Sequence, residues 1–234
     1  MRTIKFKLVG TFIAAALGGS LSVLSAPITI TSASNVTLHF NGFYDSSQIV
    51  IPGLTGAVTL SGFSFTNATV ASLPVTIVSM NYTIINDSAF PILTSRISNF
   101  SFDTTPTILN TPLNQVSGVF DTVKNNANQP NGSGTVEVCF TVQNCPGGGN
   151  GGVILGNLGS GTASLYFGGN ITSFTLDNAY IRYQSVTCTQ GSPCNASANG
   201  NVTGGGDVPE PSSYALMSLG IAGIAFASRY VRRA

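Results

Sequence analysis

Apolar residues recur at every second position through much of the chain between residues 36 and 176, and this alternation limits the fold more than any other feature. Successive side chains of a strand point to opposite faces, so a period of two indicates a sheet with one buried face. Glycine, proline, asparagine and Ser-Gly pairs separate the alternating runs and are typical of turns. Clear runs are Val36-x-Leu38-x-Phe40, Met80-x-Tyr82-x-Ile84, Val136-x-Val138-x-Phe140-x-Val142 and Leu165-x-Phe167.

The region between residues 26 and 207 has no long stretch of helical periodicity and is rich in Val, Ile, Thr and Phe. Its 182 residues are enough for one domain with a sizeable core. The sequence therefore predicts an all-β fold, an antiparallel β-sandwich of roughly ten strands with jelly-roll or immunoglobulin-like order. A parallel β-helix is the alternative.

The first 25 residues have the pattern of a secretory signal peptide. Arg2, Lys5 and Lys7 precede an apolar run from Leu8 to Leu17, and small residues follow it. We place the cleavage after Ser25, because a cut after Ala26 would leave Pro27 directly behind it. The Sec translocon and signal peptidase are the expected partners. The predicted order is a signal peptide and helix at 1–25, a body at 26–194, a Gly/Asn-rich linker at 195–207 and a C-terminal signal at 208–234.

The C-terminal signal contains three units in sequence. Val208-Pro209-Glu210-Pro211 is held extended by its prolines, so a protease could bind it. The apolar run from Tyr214 to Ala227 has 14 residues and needs interfacial padding to approach the ~20 of a comfortable transmembrane helix. Arg229, Arg232 and Arg233 would hold its end on the cytoplasmic side, which places the body outside. Hydropathy alone also permits an ordinary membrane anchor or a buried helix.

The V-P-E-P-S motif, the apolar run with small residues and the closing Arg229-x-x-Arg232-Arg233 resemble the PEP-CTERM sorting signal of Gram-negative bacteria that make extracellular polysaccharide. The resemblance implies that an exosortase in the inner membrane removes the tail as the protein moves to the cell surface or extracellular matrix. It also implies exopolysaccharide as a partner, and it says nothing about activity. Ser95 to Asp103 and Ala179 to Val186 resemble PEP-CTERM proteins of the cistern family, which implies only a secreted β-rich body.

Charge argues against a nucleic-acid partner. Six of the nine basic residues lie in the two end segments, so the region 26–207 has three basic side chains against seven acidic ones and a formal charge of −4. Three isolated cations, Arg96, Lys124 and Arg182, cannot neutralise a phosphate backbone.

Four cysteines form two Cys-x5-Cys pairs, Cys139 with Cys145 and Cys188 with Cys194. Zinc sites usually use shorter spacings and often include His, whereas an exported protein meets an oxidising compartment. We expect disulfides. We favour pairing within each Cys-x5-Cys unit because each could close a short loop at a strand end, although cross-pairing stays open.

Neither catalytic residues nor a metal or cofactor site is predicted. The single imidazole, His39, lies between Leu38 and Phe40 in an alternating strand and should face solvent. No G-x-S-x-G elbow or EF-hand calcium loop occurs, and the carboxylates are scattered along the sequence. The expected function is that of a non-enzymatic surface or matrix protein. A secreted carbohydrate-binding or carbohydrate-active protein is the alternative.

Overall fold

The structure is a computed structural model that describes residues 27–44, 49–129, 134–145, 150–190, 192, 194 and 196–203. The predicted signal peptide and the predicted sorting signal at 208–234 lie outside these residues. Within the described ranges, no helix is long and apolar enough to cross a membrane.

Twelve strands occur in the described residues, and the alternating runs of the sequence fall within them. Their bounds are β1 Ile28–Ile30, β2 Val36–Tyr44, β3 Ile49–Val70, β4 Leu73–Ile85, β5 Ile92–Thr105, β6 Gln115–Gly118, β7 Thr122–Asn128, β8 Thr135–Thr141, β9 Val153–Ile154, β10 Leu158–Gly168, β11 Phe174–Cys188 and β12 Ser197–Val202. His39 lies on the exposed face of β2, as the alternation predicted.

All strand pairs are antiparallel and join into one sheet, with the order β6-β10-β4-β3-β2-β12-β11-β5-β8-β7. Strand β1 pairs with β11 and strand β9 with β5, off this path. The prediction of an antiparallel all-β body is therefore confirmed. The alternative of a parallel β-helix is wrong, because long antiparallel hairpins such as β3–β4 supply most of the pairing.

The sheet folds over so that strands distant in the sheet order face each other across the core. Phe40 of β2 meets Phe100 of β5, with ring centroids 6.4 Å apart, and Tyr82 of β4 meets Phe140 of β8 at 5.9 Å. We call β6, β10, β4, β3 and β2 the first half and β11, β5, β8 and β7 the second half. Strand β12 is hydrogen-bonded to both, so it makes one continuous sheet where two separate sheets were expected.

The two outer strands of the order, β6 and β7, are consecutive in the chain and are joined by three residues. The buried hydroxyl of Tyr82 donates to the Ser117 carbonyl at 2.9 Å and accepts from the Phe120 amide at 3.1 Å. Tyr82 thereby anchors the connection between the two ends of the sheet to the core.

The predicted linker differs from the structure, because Ser197–Val202 is a strand in the middle of the sheet. Its polar, glycine-rich sequence led to the prediction of a tether. Ala198 and Gly200 face the core, where a larger side chain at 200 would meet Ile181, whose Cγ1 would lie 2.6 Å from an added Cβ. The segment is therefore poor in large apolar residues because space is short.

Candidate functional site

The two ends of the described body lie close together on one edge of β11. Strand β5 pairs along one edge of β11, and strands β1 and β12 follow each other along the opposite edge. Ile28 is opposite Leu176, and Asn201 is opposite Tyr180. Four residues of a strand span about 13 Å. The two positions at which the predicted export segments join the body are therefore neighbours.

A buried arginine fastens β12 to β11. Arg182 donates from Nη1 to Asn199 Oδ1 at 2.6 Å and from Nη2 to Ser197 Oγ at 2.9 Å. Arg182 and Asn199 are 5 % and 4 % exposed. Hydrogen bonds to a charged donor are stronger than neutral ones, and an unmade bond at a buried charge is costly. These side chains therefore fix the register of the bridging strand.

Both disulfides favoured from the sequence are present. Cys139–Cys145 closes the loop after β8, and the buried Asn99 amide donates to the Cys145 carbonyl at 2.6 Å. Cys188–Cys194 lies between the end of β11 and the start of β12. It therefore limits the separation of the two strands that Arg182 joins.

An open apolar groove with a volume of about 530 Å³ lies beside the turn between β3 and β4. It lies between the segment at Leu73 and the segment that carries Leu109 and Leu113, with the half-buried Tyr166 among its lining residues. Gly168 and Gly169 also line it, and an added Cβ at Gly169 would have no atom within 4 Å. The groove therefore offers a concave apolar surface to a small ligand.

The carboxylates of the second half hold backbone groups. Glu137 accepts from the Thr104 amide at 2.8 Å, from the Thr104 hydroxyl at 2.7 Å and from the Ile108 amide. Asp103 accepts from the Glu137 amide at 2.8 Å and from the Asn178 side chain at 2.7 Å. These bonds fix the chain around residues 104–108. Among the described residues, no group of three or more His, Cys, Asp or Glu side chains could hold a metal ion.

Burial and nearby carboxylates raise the pKa of Tyr180 and Tyr183, two tyrosines of β11. Burial raises the pKa of Tyr183 well above its ordinary value, with a smaller contribution from Asp87. Burial also raises the pKa of Tyr180, and the negative charges of Asp103 and Asp177 raise it further. The neutral form of both phenols is therefore favoured.

Charge is confined to one half of the sheet. The strands β1, β2, β3, β4, β6, β10 and β12 contain no Asp, Glu, Lys or Arg. The charged side chains of the strands all lie in the second half and are Arg96, Asp103, Lys124, Glu137, Asp177 and Arg182. On the first half, hydroxyl groups pair across strands instead, as at Thr37 and Thr59, 2.9 Å apart, and at Ser79 and Ser164, 3.2 Å apart.

The predicted sorting residues, Val208 to Pro211 with Arg229, Arg232 and Arg233, lie outside the described residues. Sequence reasoning missed Arg182 and Asn199 as the attachment of β12. The available signal was the alternation Ala198-x-Gly200-x-Val202, in which small or apolar residues replace the usual large ones. Arg182 gave a second signal, because it stands alone between Ile181 and Tyr183.

Residues 207–233 match the family of the PEP-CTERM protein-sorting motif. The chain thus carries a sorting motif at the position the resemblance indicated, consistent with an exosortase substrate. No curated protein and no solved structure matches the chain. Strand β12 ends at Val202, so only four residues, 203–206, separate the sheet from the matched motif.

Proposed function

We propose that this chain is a non-enzymatic exported protein that an exosortase delivers to the cell surface or extracellular matrix. The match of residues 207–233 to the sorting motif carries this proposal. The Sec translocon exports the chain and signal peptidase cuts after Ser25. The C-terminal helix then holds the body at the inner membrane until the exosortase cuts at Val208 to Pro211. Membership of the cistern family and a Gram-negative source are part of the proposal.

The architecture of the body supports this route. The disulfides suit a protein that folds in an oxidising compartment. In this proposal the body is a β-sandwich whose two layers are joined by β12. The two ends of the body are neighbours, so both export segments can reach one membrane surface. Six residues separate Val202 from Pro209, which limits the extended tether to about 20 Å.

The non-enzymatic part of the proposal is supported by how the polar groups are used. The carboxylates of Asp103 and Glu137 accept hydrogen bonds from backbone amides that fix the local fold. The first half of the sheet presents neutral hydroxyl groups rather than reactive ones. Such a surface suits presentation or assembly.

Intact-mass measurement of the protein from cells and from medium tests this proposal. We expect the surface or medium form to begin near residue 26 and to end within the motif, and the membrane form to retain residues up to Ala234. A medium form that keeps the complete tail would overturn it.

Carbohydrate binding is the second candidate, and the groove at Tyr166 favours it. An aromatic ring beside glycines and the amide of Asn110 offers an apolar surface and a polar edge, which are features of small-molecule sites. A glycan array and a hydrolysis assay on the mature protein distinguish the candidates. If sugar binding is the function, Tyr166→Ala should abolish it, whereas Phe90→Ala, at an exposed aromatic residue away from the groove, should not. Binding or turnover that follows this pattern would replace the structural proposal.

A further inference from the structure

We propose that the last third of β3, Ser64–Val70, is an assembly edge at which a second copy of this chain adds its own β3 in antiparallel pairing. Assembly at this edge deepens the proposed structural role and rests on it. The interaction surface is the open edge of β3, and the partner is the same strand of another molecule.

This part of β3 is paired on one side only. Strand β2 pairs with β3 up to Leu60, and strand β4 pairs with the other side through Ser64–Val70. Within the described parts of the chain, no strand pairs with the outer edge of these seven residues. Alternate residues of an edge strand direct their amide and carbonyl groups outward, and those groups are a template for another strand.

The edge lacks the features that usually prevent such pairing. Ser61–Val70 contains no charged residue and no proline, and its register shift ends at Ser64. The edge strand β7 differs, because Lys124 lies on it and Asn126 adopts a left-handed φ of 51° that breaks its regular pairing. Natural sheets protect their edges with charges and such irregularities. On β3 the register shift lies before Ser64, so Ser64–Val70 itself has no charge, proline or irregularity.

The side chains of this segment suit a copy of itself. Phe65 is opposite the core residue Val78 and lies against Phe174, with ring centroids 6.4 Å apart, so it is already packed inside the body. Ser64, Thr66 and Ala68 therefore face outward, and they are small and uncharged. Two such strands can meet about a two-fold axis without steric or electrostatic conflict.

The distribution of charge favours a second copy over an unrelated partner. Every strand of the first half is uncharged, so two copies that join through β3 bring neutral strands together and keep their charged halves apart. A charged partner would find no complementary group on β3 or β4. Pairing through β3 would extend the sheet across two molecules.

Site-specific photo-crosslinking of the full chain in cells tests the assignment. A benzophenone amino acid at Ala68 should give a covalent dimer whose second peptide, by mass spectrometry, comes from Ser61–Val70. The same probe at Thr187, an exposed residue of β11 that is opposite Thr94 of β5, should give no dimer. Dimer formation with another part of the chain, or no dimer from the Ala68 probe, would overturn the proposal.

Charge substitution supplies a matched second measurement. Ser64→Lys/Thr66→Lys places two like charges from each copy on the edge and should lower the dimer yield of the Ala68 probe about tenfold. Thr135→Lys/Thr187→Lys adds the same charge at exposed positions of β8 and β11, neither of which pairs with β3, and should leave the yield unchanged. Equal yields in the two double variants would contradict edge pairing. The C-terminal mass of the same samples reports tail removal independently, so failure of the sorting account can be distinguished from failure of the assembly edge.

Discussion

The Arg182 guanidinium of β11 donates to Asn199 Oδ1 of β12 at 2.6 Å, and both side chains are buried. Strand β12 is the connection between the two halves of the sheet, and the matched sorting motif begins five residues after its end. The pair therefore links the integrity of the sheet to the segment that carries the sorting signal.

Replacement of Asn199 by Ala should lower the free energy of unfolding of the protein by about 1.5–3 kcal/mol, because it removes a buried acceptor of a charged donor. Urea denaturation followed by circular dichroism measures the change. Asn170→Ala is the control, since Asn170 is an exposed loop residue, and it should change stability by less than about 0.5 kcal/mol. Equal effects of the two variants would show that the pair does not stabilise β12.

Gly200 allows Ile181 and Tyr183 to lie against β12. An added Cβ would come within 2.6 Å of Ile181 Cγ1 and 2.9 Å of Tyr183 Cε2. Gly200→Ala should therefore destabilise the protein by about 1–3 kcal/mol through overpacking. At Gly168, another strand glycine, an added Cβ comes no nearer than 3.7 Å to Leu109, so Gly168→Ala should be tolerated. The thermal midpoints of the two variants measure this difference. Equal midpoints would contradict close packing at Gly200.

Two buried tyrosines differ in what their hydroxyls do. Tyr82 bonds the Ser117 carbonyl and the Phe120 amide, whereas the Tyr183 hydroxyl has no hydrogen-bond partner among the described residues. Tyr82→Phe should cost about 1–3 kcal/mol because it leaves a buried amide unsatisfied. Tyr183→Phe should be neutral or stabilising, since it removes an unsatisfied group. Chemical denaturation of both variants measures this contrast, and the reverse order of stabilities would contradict it.

The turn between β3 and β4 uses residues that do not favour its backbone. Ala71 and Ser72 have φ values of 49° and 66°, the left-handed region required at both central positions of a type I′ hairpin. Ala71→Asn/Ser72→Gly should stabilise the protein by about 1 kcal/mol, as measured by the urea midpoint. Ser32→Gly, in a turn without positive φ at that residue, should lower the midpoint slightly. A drop in midpoint for the double variant would refute this account of the turn.

The sequence predicted the elements better than their arrangement. Alternation located β2, β4, β8 and β10 and the exposure of His39, because the pattern of one strand is local. The order of strands depends on pairing between distant residues, such as Asn199 with Phe43, which no local pattern records. We predicted a linker at the position of β12 because buried strands usually contain large apolar residues, and this segment has few. Here Ala198 and Gly200 are buried because they are small.

The candidate sites differ in the same way: those formed by residues close in sequence could be predicted, and those formed by distant segments could not. The Cys-x5-Cys spacing indicated short disulfide loops correctly because both partners are close in sequence. The residues of the groove come from three separated segments around Leu73, Leu109 and Tyr166, so no motif could show it. The sorting motif was visible because it is a continuous linear signal.

Replacement of Pro209-Glu210-Pro211 by Ala-Ala-Ala, followed by cell fractionation and intact-mass measurement, tests the central claim most directly. Because we propose that the exosortase recognises Pro209-Glu210-Pro211, loss of the two prolines should prevent removal of the tail. Export should continue, and the protein should stay in the membrane with residues up to Ala234 intact, whereas Gly204-Gly205-Gly206→Ala-Ala-Ala should be released as the unaltered chain is. Release of a shortened product from the Pro209-Glu210-Pro211 variant at the unaltered rate would contradict the account.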